Sequence, residues 1–350
     1  MISAGQTPGR TLHWEGKEFL FFSGYAYLGM GHSSAFTEWI NQGLDLYGPV
    51  FPSSRIGNVR LQIFEELEAS ISRQLDLADT VSFSSGFLAG QAAIEYLHQK
   101  GPVIYAPAIH PALRRNTCSL HFREWSQWVE ETIQTINSHP QFHYQVIMES
   151  VDPLRGVIHD FAWLTRIVSK TTILIDDSHG IGILGEGGSG IIQHLPKNEN
   201  LDFMVCFSLA KAFGIQGGAI AANQDHTNAI RSSPHFTAGT SISPAFAYAF
   251  LHAREIYLNR RKILLQNIHY FIDHHPFHLK LMSEKLLPIF PVEDMNFHSF
   301  CLSKNIILSS FAYPDPGGKI MTRIILNSLH TTDDIDALVN SIREFKLIQG

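Results

Sequence analysis

The sequence predicts an α/β protein, built on a mostly parallel sheet between helices and followed by a smaller α+β unit. Three observations carry that reading. Short apolar runs recur at residues 80–83, 103–105, 145–148, 172–175 and 203–207, with helical stretches between most of them. Such alternation marks parallel strands joined by crossover helices. Several runs end in small or polar residues (Ser84-Ser85-Gly86, Asp176-Asp177-Ser178-His179-Gly180, Ser208-Leu209-Ala210-Lys211), as expected where a ligand crevice borders the carboxyl ends of strands. After Ser243-Pro244 the pattern changes to long helix and then later, sparser strands.

Taken in order, residues 12–30 mix aromatics with glycines and read as an extended arm. Residues 38–47 read as a helix stopped by Gly48-Pro49, and residues 64–75 carry apolar side chains at helical spacing. The strand at 80–83 leads through Ser84-Ser85-Gly86-Phe87 into a helix over 91–97. A long helix is expected over 245–265, strands near 299–302 and 322–326, and a helix from Thr332. This organisation divides the chain into an arm (1–45), a large domain (46–240), and a linking helix with a small α+β domain (241–350).

At 350 residues and 45% apolar, the chain can bury a large core. Its net charge of −6 and scattered basic residues exclude nucleic acid and anionic membranes as expected partners. Cys118, Cys206 and Cys301 lie far apart and read as reduced thiols. The polar start and the lack of a membrane-length apolar run predict a cytoplasmic protein. The 19 histidines include no HExxH pair, so no metal site is expected. His110 and His179 are set apart by their neighbours.

Asp176 ends a strand-like run, His179 follows it, and Lys211 stands just past the next run among Leu209, Ala210, Ala212 and Phe213. An aspartate at a strand end serves equally as a turn or helix cap when taken alone. An acid, an imidazole and a desolvated amine together suit an aldehyde cofactor with a basic ring nitrogen, and pyridoxal phosphate (PLP) fits. The lysine would form the Schiff base, the acid would keep the ring nitrogen protonated, and the released amine could take a substrate α-proton. Ser84-Ser85-Gly86-Phe87 offers backbone N–H groups at a helix start for the phosphate. Gly185-Glu186-Gly187-Gly188-Ser189-Gly190 matches the GxGxxG dinucleotide pattern. It lacks a well-placed acidic partner after a following strand, so it is read as a flexible turn.

From about Tyr27 to Leu338 the chain resembles the α-oxoamine synthases, PLP-dependent enzymes of fold type I. The resemblance rests on Tyr27-Leu28-Gly29, Tyr47-Gly48, Ser54-Arg55, Leu67-Glu68, Ser85-Gly86-Phe87-Leu88-Ala89, Asp176-Asp177-Ser178-His179-Gly180, Lys211, Gly217-Gly218, Thr240-Ser241 and Arg323 ahead of His330. It implies a mostly parallel sheet of the seven-stranded type. By the resemblance, Lys211 bonds the cofactor, Asp176 pairs with the pyridine nitrogen, and His179 bonds the ring hydroxyl. His110 matches the imidazole stacked on the ring. Ser85, Gly86 and Phe87 match the phosphate cup, with Ser208 close by. Thr240 and Ser241 match the pair reaching the phosphate from a neighbouring subunit, which implies a homodimer with shared active sites. Arg323 matches the arginine that holds the amino-acid carboxylate.

Departures fall mainly on the substrate side. Tyr25-Ala26 stands where the family usually has Asn-Asp, Pro153 where it has a serine for the phenolic oxygen, Pro111-Ala112 where Ala-Ser follows the stacking histidine, and Gly90 where it has asparagine. The activity the resemblance implies is decarboxylating condensation of alanine or glycine with an acyl-CoA or acyl-carrier-protein thioester, giving an α-amino ketone. The narrower expectation is the family's biotin-synthesis branch. Transamination or other chemistry at the α-carbon, and a non-catalytic partner subunit, are the competing readings.

Overall fold

The computed structural model describes residues 2–115, 124–275, 287–294 and 296–349; Cys118 lies outside them. The chain opens with a hairpin, β1 (Thr11–Trp14) and β2 (Lys17–Phe22), turning on Glu15 and Gly16, both at positive φ. The expected arm is therefore sheet-bonded. Helix α1 (Ser34–Tyr47) begins earlier than its pattern suggested, because the Ser33 hydroxyl caps it by accepting from Phe36 N at 3.3 Å. There follow α2 (Gln62–Leu75), β3 (Asp79–Phe83), α3 (Gly86–His98), β4 (Val103–Tyr105), α4 (Trp125–Ser138) and β5 (Tyr144–Glu149). Next come β6 (Val151–Asp152), β7 (Val157–Ile158), β8 (Thr171–Asp176), β9 (Leu201–Ser208) and β10 (Gly218–Ala222). The rest is α5 (Gln224–Arg231), α6 (Pro234–Thr237), α7 (Pro244–His252), α8 (Arg254–His274), β11 (Ile289–Val292), α9 (Asn296–Ser303), β12 (Ile306–Ala312), β13 (Ile320–Ile325) and α10 (Thr332–Gln349).

Six strands among the described residues form the main sheet in the order β3-β10-β9-β8-β5-β4. Strands β9, β8, β5 and β4 are mutually parallel, while β10 runs antiparallel to both β9 and β3. Both faces are covered. Ile147, Leu174, Met204 and Ile220 meet α3, whereas Val146, Ile173, Val205 and Ala219 belong to the larger core on the other side. Continuous apolar strands are what a sheet buried on both faces requires. The second sheet, β1-β2-β12-β13-β11, unites the first hairpin with the C-terminal strands through parallel pairing of β2 with β12.

Three local expectations are corrected. Residues 296–303 form α9, not a strand, because Phe297 and Phe300 both pack on Phe345 and Cys301 is fully buried, a helical spacing. The single helix expected over 245–265 is two, broken at Ala253. The Gly185–Gly190 stretch is fastened rather than loose: Arg261 Nη2 donates to Gly185 O at 2.7 Å and Gln74 Nε2 to Gly188 O at 3.0 Å. No helix among the described residues is long and apolar enough to cross a membrane.

Candidate active site

Strand register gathers the candidate residues at one edge of the main sheet. Glu149 of β5 pairs with Asp176 of β8, which pairs with Cys206 of β9, and Gly218 at the start of β10 faces both Phe83 and Ser208. The start of α3 sits against that edge because two glycines leave room. A Cβ on Gly86 would lie 2.7 Å from Ser208 Cβ, and one on Gly218 would lie 2.5 Å from Gly86 Cα. The Ser85 hydroxyl caps α3, accepting from Leu88 N at 3.1 Å, and Phe87 is exposed. The Ser208 amide donates to the Ser178 hydroxyl at 2.9 Å, tying the end of β9 to the loop after β8.

The two adjacent aspartates part company in that loop. Asp177 turns inward, fully buried, and accepts from the Ser150 hydroxyl at 2.6 Å and Ile191 N at 2.9 Å. Burial pushes its carboxyl up to about 7 against those bonds. Asp176 stays at the sheet edge and accepts from Ser178 N at 2.8 Å. His179 Nδ1 lies 2.7 Å from the Tyr27 hydroxyl, and the ring meets Tyr25 edge-on at 4.9 Å. Desolvation, joined by the charges of Lys211 and Arg323, holds His179 well below the usual imidazole value, so it is neutral.

His110, in the loop after β4, accepts from Ala112 N at Nδ1 (3.1 Å). A nitrogen that accepts carries no proton, so the ring proton sits on Nε2, 2.6 Å from the Tyr313 hydroxyl. The His110 amide donates to Glu149 Oε1 at 2.8 Å. Burial pushes Glu149 up to about 8, with the charge of Asp176 acting the same way. Lys211 makes no hydrogen bond among the described residues, and desolvation lowers its pKa although Asp176 and Glu149 pull it back up. The Ser241 hydroxyl is buried with no hydrogen-bond partner among the described residues, while neighbouring Thr240 is exposed.

Arg323 enters from the second sheet. It lies on β13 opposite Ser309 of β12 and is 1% exposed. Nη1 donates to the Tyr25 hydroxyl at 2.7 Å and Nη2 to Ser309 Oγ at 3.4 Å, Nε has no hydrogen-bond partner among the described residues, and the guanidinium lies over the Phe311 ring, 5.1 Å from its centroid. The sequence reading had not placed Glu149, Tyr27 or Tyr313 among the site residues. Glu149 carried a usable signal, an apolar strand ending in a carboxylate as at Asp176; Tyr313 carried none.

The model of the aminotransferase class I and II family matches residues 22–342. The chain belongs to that family. An 8-amino-7-oxononanoate synthase from Lysinibacillus sphaericus is 28% identical, over 94% of this chain and 89% of the relative. One from Vibrio campbellii is 27% identical, over 95% and 90%. In fold, the chain is similar to a serine palmitoyltransferase from Sphingomonas wittichii (TM-score 0.82, 19% identity, 97% and 90% covered). It is also similar to an 8-amino-7-oxononanoate synthase from Francisella tularensis (TM-score 0.73, 23% identity, 95% and 99% covered). The main sheet and its helices are the fold type I arrangement, and the protein is a PLP-dependent enzyme of the aminotransferase class I and II family.

As a member of this family the protein takes pyridoxal phosphate as cofactor, and its own residues fit that group. An amine free of hydrogen bonds stands near an aspartate at a strand end. Glycines clear the approach to the start of α3.

Proposed function

We propose that the protein joins the α-carbon of a small amino acid, alanine or glycine, to the acyl carbon of a thioester. The reaction releases CO2 and the free thiol and yields an α-amino ketone. The specific reading is 8-amino-7-oxononanoate synthesis, from alanine and a pimeloyl thioester carried by CoA or a carrier protein. The names of relatives aligned over nearly the whole chain support it. One observation carries the amino-acid part. Arg323 is a buried cation with no carboxylate partner among the described residues, in the electrostatic neighbourhood of His179 that Lys211 also occupies. A buried charge left unpaired is costly, and an amino-acid carboxylate would pair it.

Bound PLP supplies an aldehyde for the amino nitrogen and a ring that delocalises the charge left when the α-proton departs. Lys211 would hold the cofactor through that aldehyde and would serve as the base for the α-proton, a task suited to an amine whose pKa desolvation has lowered. Asp176 would hold a proton on the ring nitrogen, and His179 would donate to the phenolic oxygen. His110 would stack on the ring, and Arg323 would hold the carboxylate. Ser85, Gly86, Phe87 and Ser208 bind the phosphate. Thr240 and Ser241 reach the phosphate of a second copy in a homodimer. Exposed apolar side chains support such a dimer. Val50, Ile56 and Val59 flank Ser54, whose hydroxyl donates to Thr237 O at 2.5 Å, close in sequence to Thr240.

The test is purified protein with PLP, supplied with alanine, glycine or serine against short, long and dicarboxylic acyl-CoAs, with products read by mass spectrometry. Free thiol, CO2 and an α-amino ketone are expected. Amino transfer to a keto acid with no thiol release would replace this reading with transamination, which the Tyr25, Ala26 and Pro153 departures make the natural alternative. The Lys211→Ala protein should lack the cofactor's visible lysine-linked band; an unchanged band would remove Lys211 from its role.

A further inference from the structure

Tyr313 lies in the stretch that joins β12 to β13 and reaches the site from above His110. Its ring stacks on the imidazole with centroids 5.9 Å apart, and its hydroxyl is 2.6 Å from His110 Nε2. On its other side the Phe311 ring meets Tyr313 edge-on at 6.4 Å and also lies against the Arg323 guanidinium. The Ala112 amide occupies His110 Nδ1, and burial keeps the imidazole neutral, so Nε2–H donates to the phenol oxygen. The phenol's own proton is then unused, and among the described residues nothing accepts it. Burial raises the Tyr313 pKa, with the charges of Glu149 and Asp176 acting the same way, so that proton stays in place at neutral pH. A hydroxyl that accepts from one neighbour becomes a stronger donor to another. At 39% exposed, Tyr313 is open to a ligand arriving from solvent.

We propose that Tyr313 is a catalytic residue that donates a hydrogen bond to the carbonyl oxygen of the acyl thioester, with His110 holding the phenol in place. This rests on the acyl-transfer reading given above. A neutral donor suits an oxygen that arrives uncharged and gains charge as the carbonyl carbon is attacked. The new bond joins that carbon to the substrate α-carbon while the carbonyl π pair moves onto the oxygen. The pair returns as the C–S bond breaks, and the departing thiolate takes its proton from solvent. Tyr313 keeps its own proton throughout. One hairpin would then carry both substrate contacts, Arg323 on β13 for the carboxylate and Tyr313 after β12 for the thioester.

The experiment compares wild type with Tyr313→Phe, both loaded with PLP, using alanine and the acyl-CoA of highest turnover in the screen above. Removing one donor to a developing oxyanion should lower kcat about 100-fold. Two binding measurements made without turnover should stay within about two-fold of wild type, because the lost bond acts in the transition state. One is alanine binding, read by visible absorbance. The other is calorimetric binding of the matching thioether, in which a methylene replaces the carbonyl. A kcat within about three-fold of wild type, or a parallel weakening of either ligand, overturns the inference. Wild type that releases no thiol from any donor removes the acyl-transfer reading and this inference with it, whereas an active wild type confines the failure to Tyr313. Tyr313→Leu is the second variant, so that if melting curves show one misfolded the other decides.

Discussion

Replacing Tyr27 by phenylalanine tests how the site sets the proton on His179. Tyr27 is fully buried, and among the described residues its hydroxyl has a single partner, His179 Nδ1 at 2.7 Å. If the hydroxyl accepted, its own proton would be buried without a partner; donation satisfies it. Burial also raises the Tyr27 pKa well above the ordinary phenol value, so the proton is present to donate. Nδ1 is then the acceptor and Nε2 carries the ring proton. Tyr27→Phe strands Nδ1 in a dry site, at a cost of ~1–3 kcal/mol for an unsatisfied buried group. It also frees the ring to move its proton to Nδ1, which would turn Nε2 from donor to acceptor. Denaturant unfolding should show that loss of stability, and 15N spectra of histidine-labelled protein should show the Nε2–H form yielding to a mixture. Wild-type stability together with an unchanged Nε2–H signal would refute the donor assignment.

Three further outcomes follow from the packing and charges. Glu149 has a folded-state value of about 8 against an ordinary 4.5, so its burial costs stability increasingly as pH rises between those values. In cofactor-free protein, Glu149→Gln should gain on wild type by ~1.4 kcal/mol per pH unit across that window and level off above it; a gap independent of pH would show the carboxyl is not held neutral. Gly86→Ala would bring its Cβ to 2.7 Å from Ser208 Cβ and 2.8 Å from Ser208 Cα, costing ~1–3 kcal/mol and weakening PLP retention, measured by melting and by dialysis. Arg55→Ala removes a 2.9 Å ion pair from buried Glu68, which keeps bonds from Ser82 and Arg231, so a loss of ~3 kcal/mol is expected in urea melts. A loss below ~1 kcal/mol would mean those remaining bonds suffice.

The strands of the main sheet were legible because burial on both faces forces continuous apolar runs, and their ends were legible because ligand-facing residues interrupt those runs abruptly. Asp176, His179 and Lys211 carry such local context. Tyr27 and Tyr313 do not, since a tyrosine's task depends on which imidazole folding brings to it. The pairing of β2 with β12 joins opposite ends of the chain, and nothing local to residues 17–22 announces it. Residues 299–302 misled because a short apolar cluster suits either period, and only the packing of Phe297 and Phe300 on Phe345 decides for a helix. The break at Ala253 has no glycine or proline to mark it.

The departures from the family pattern acquire physical reasons when taken with their neighbours. A Cβ on Gly90 would stand 2.7 Å from Ala112 O, so no asparagine fits there while the turn after His110 runs through Pro111-Ala112; the two changes are one. That turn supplies the Ala112 N–H that keeps the proton of His110 on Nε2. Pro153 offers no hydroxyl, and nearby Ser150 cannot replace it, because its hydroxyl is committed to Asp177 at 2.6 Å. The phenolic-oxygen bond would then rest on His179 alone, which raises the demand on its tautomer, and Tyr27 meets that demand. Two neutral imidazoles, one fixed by a backbone amide and one by a phenol, flank the strand-end carboxylates, and Tyr25 applies the same chemistry to Arg323. The groups around the chemistry differ from the family pattern, yet the ring protons of His110 and His179 are each fixed by a specific partner.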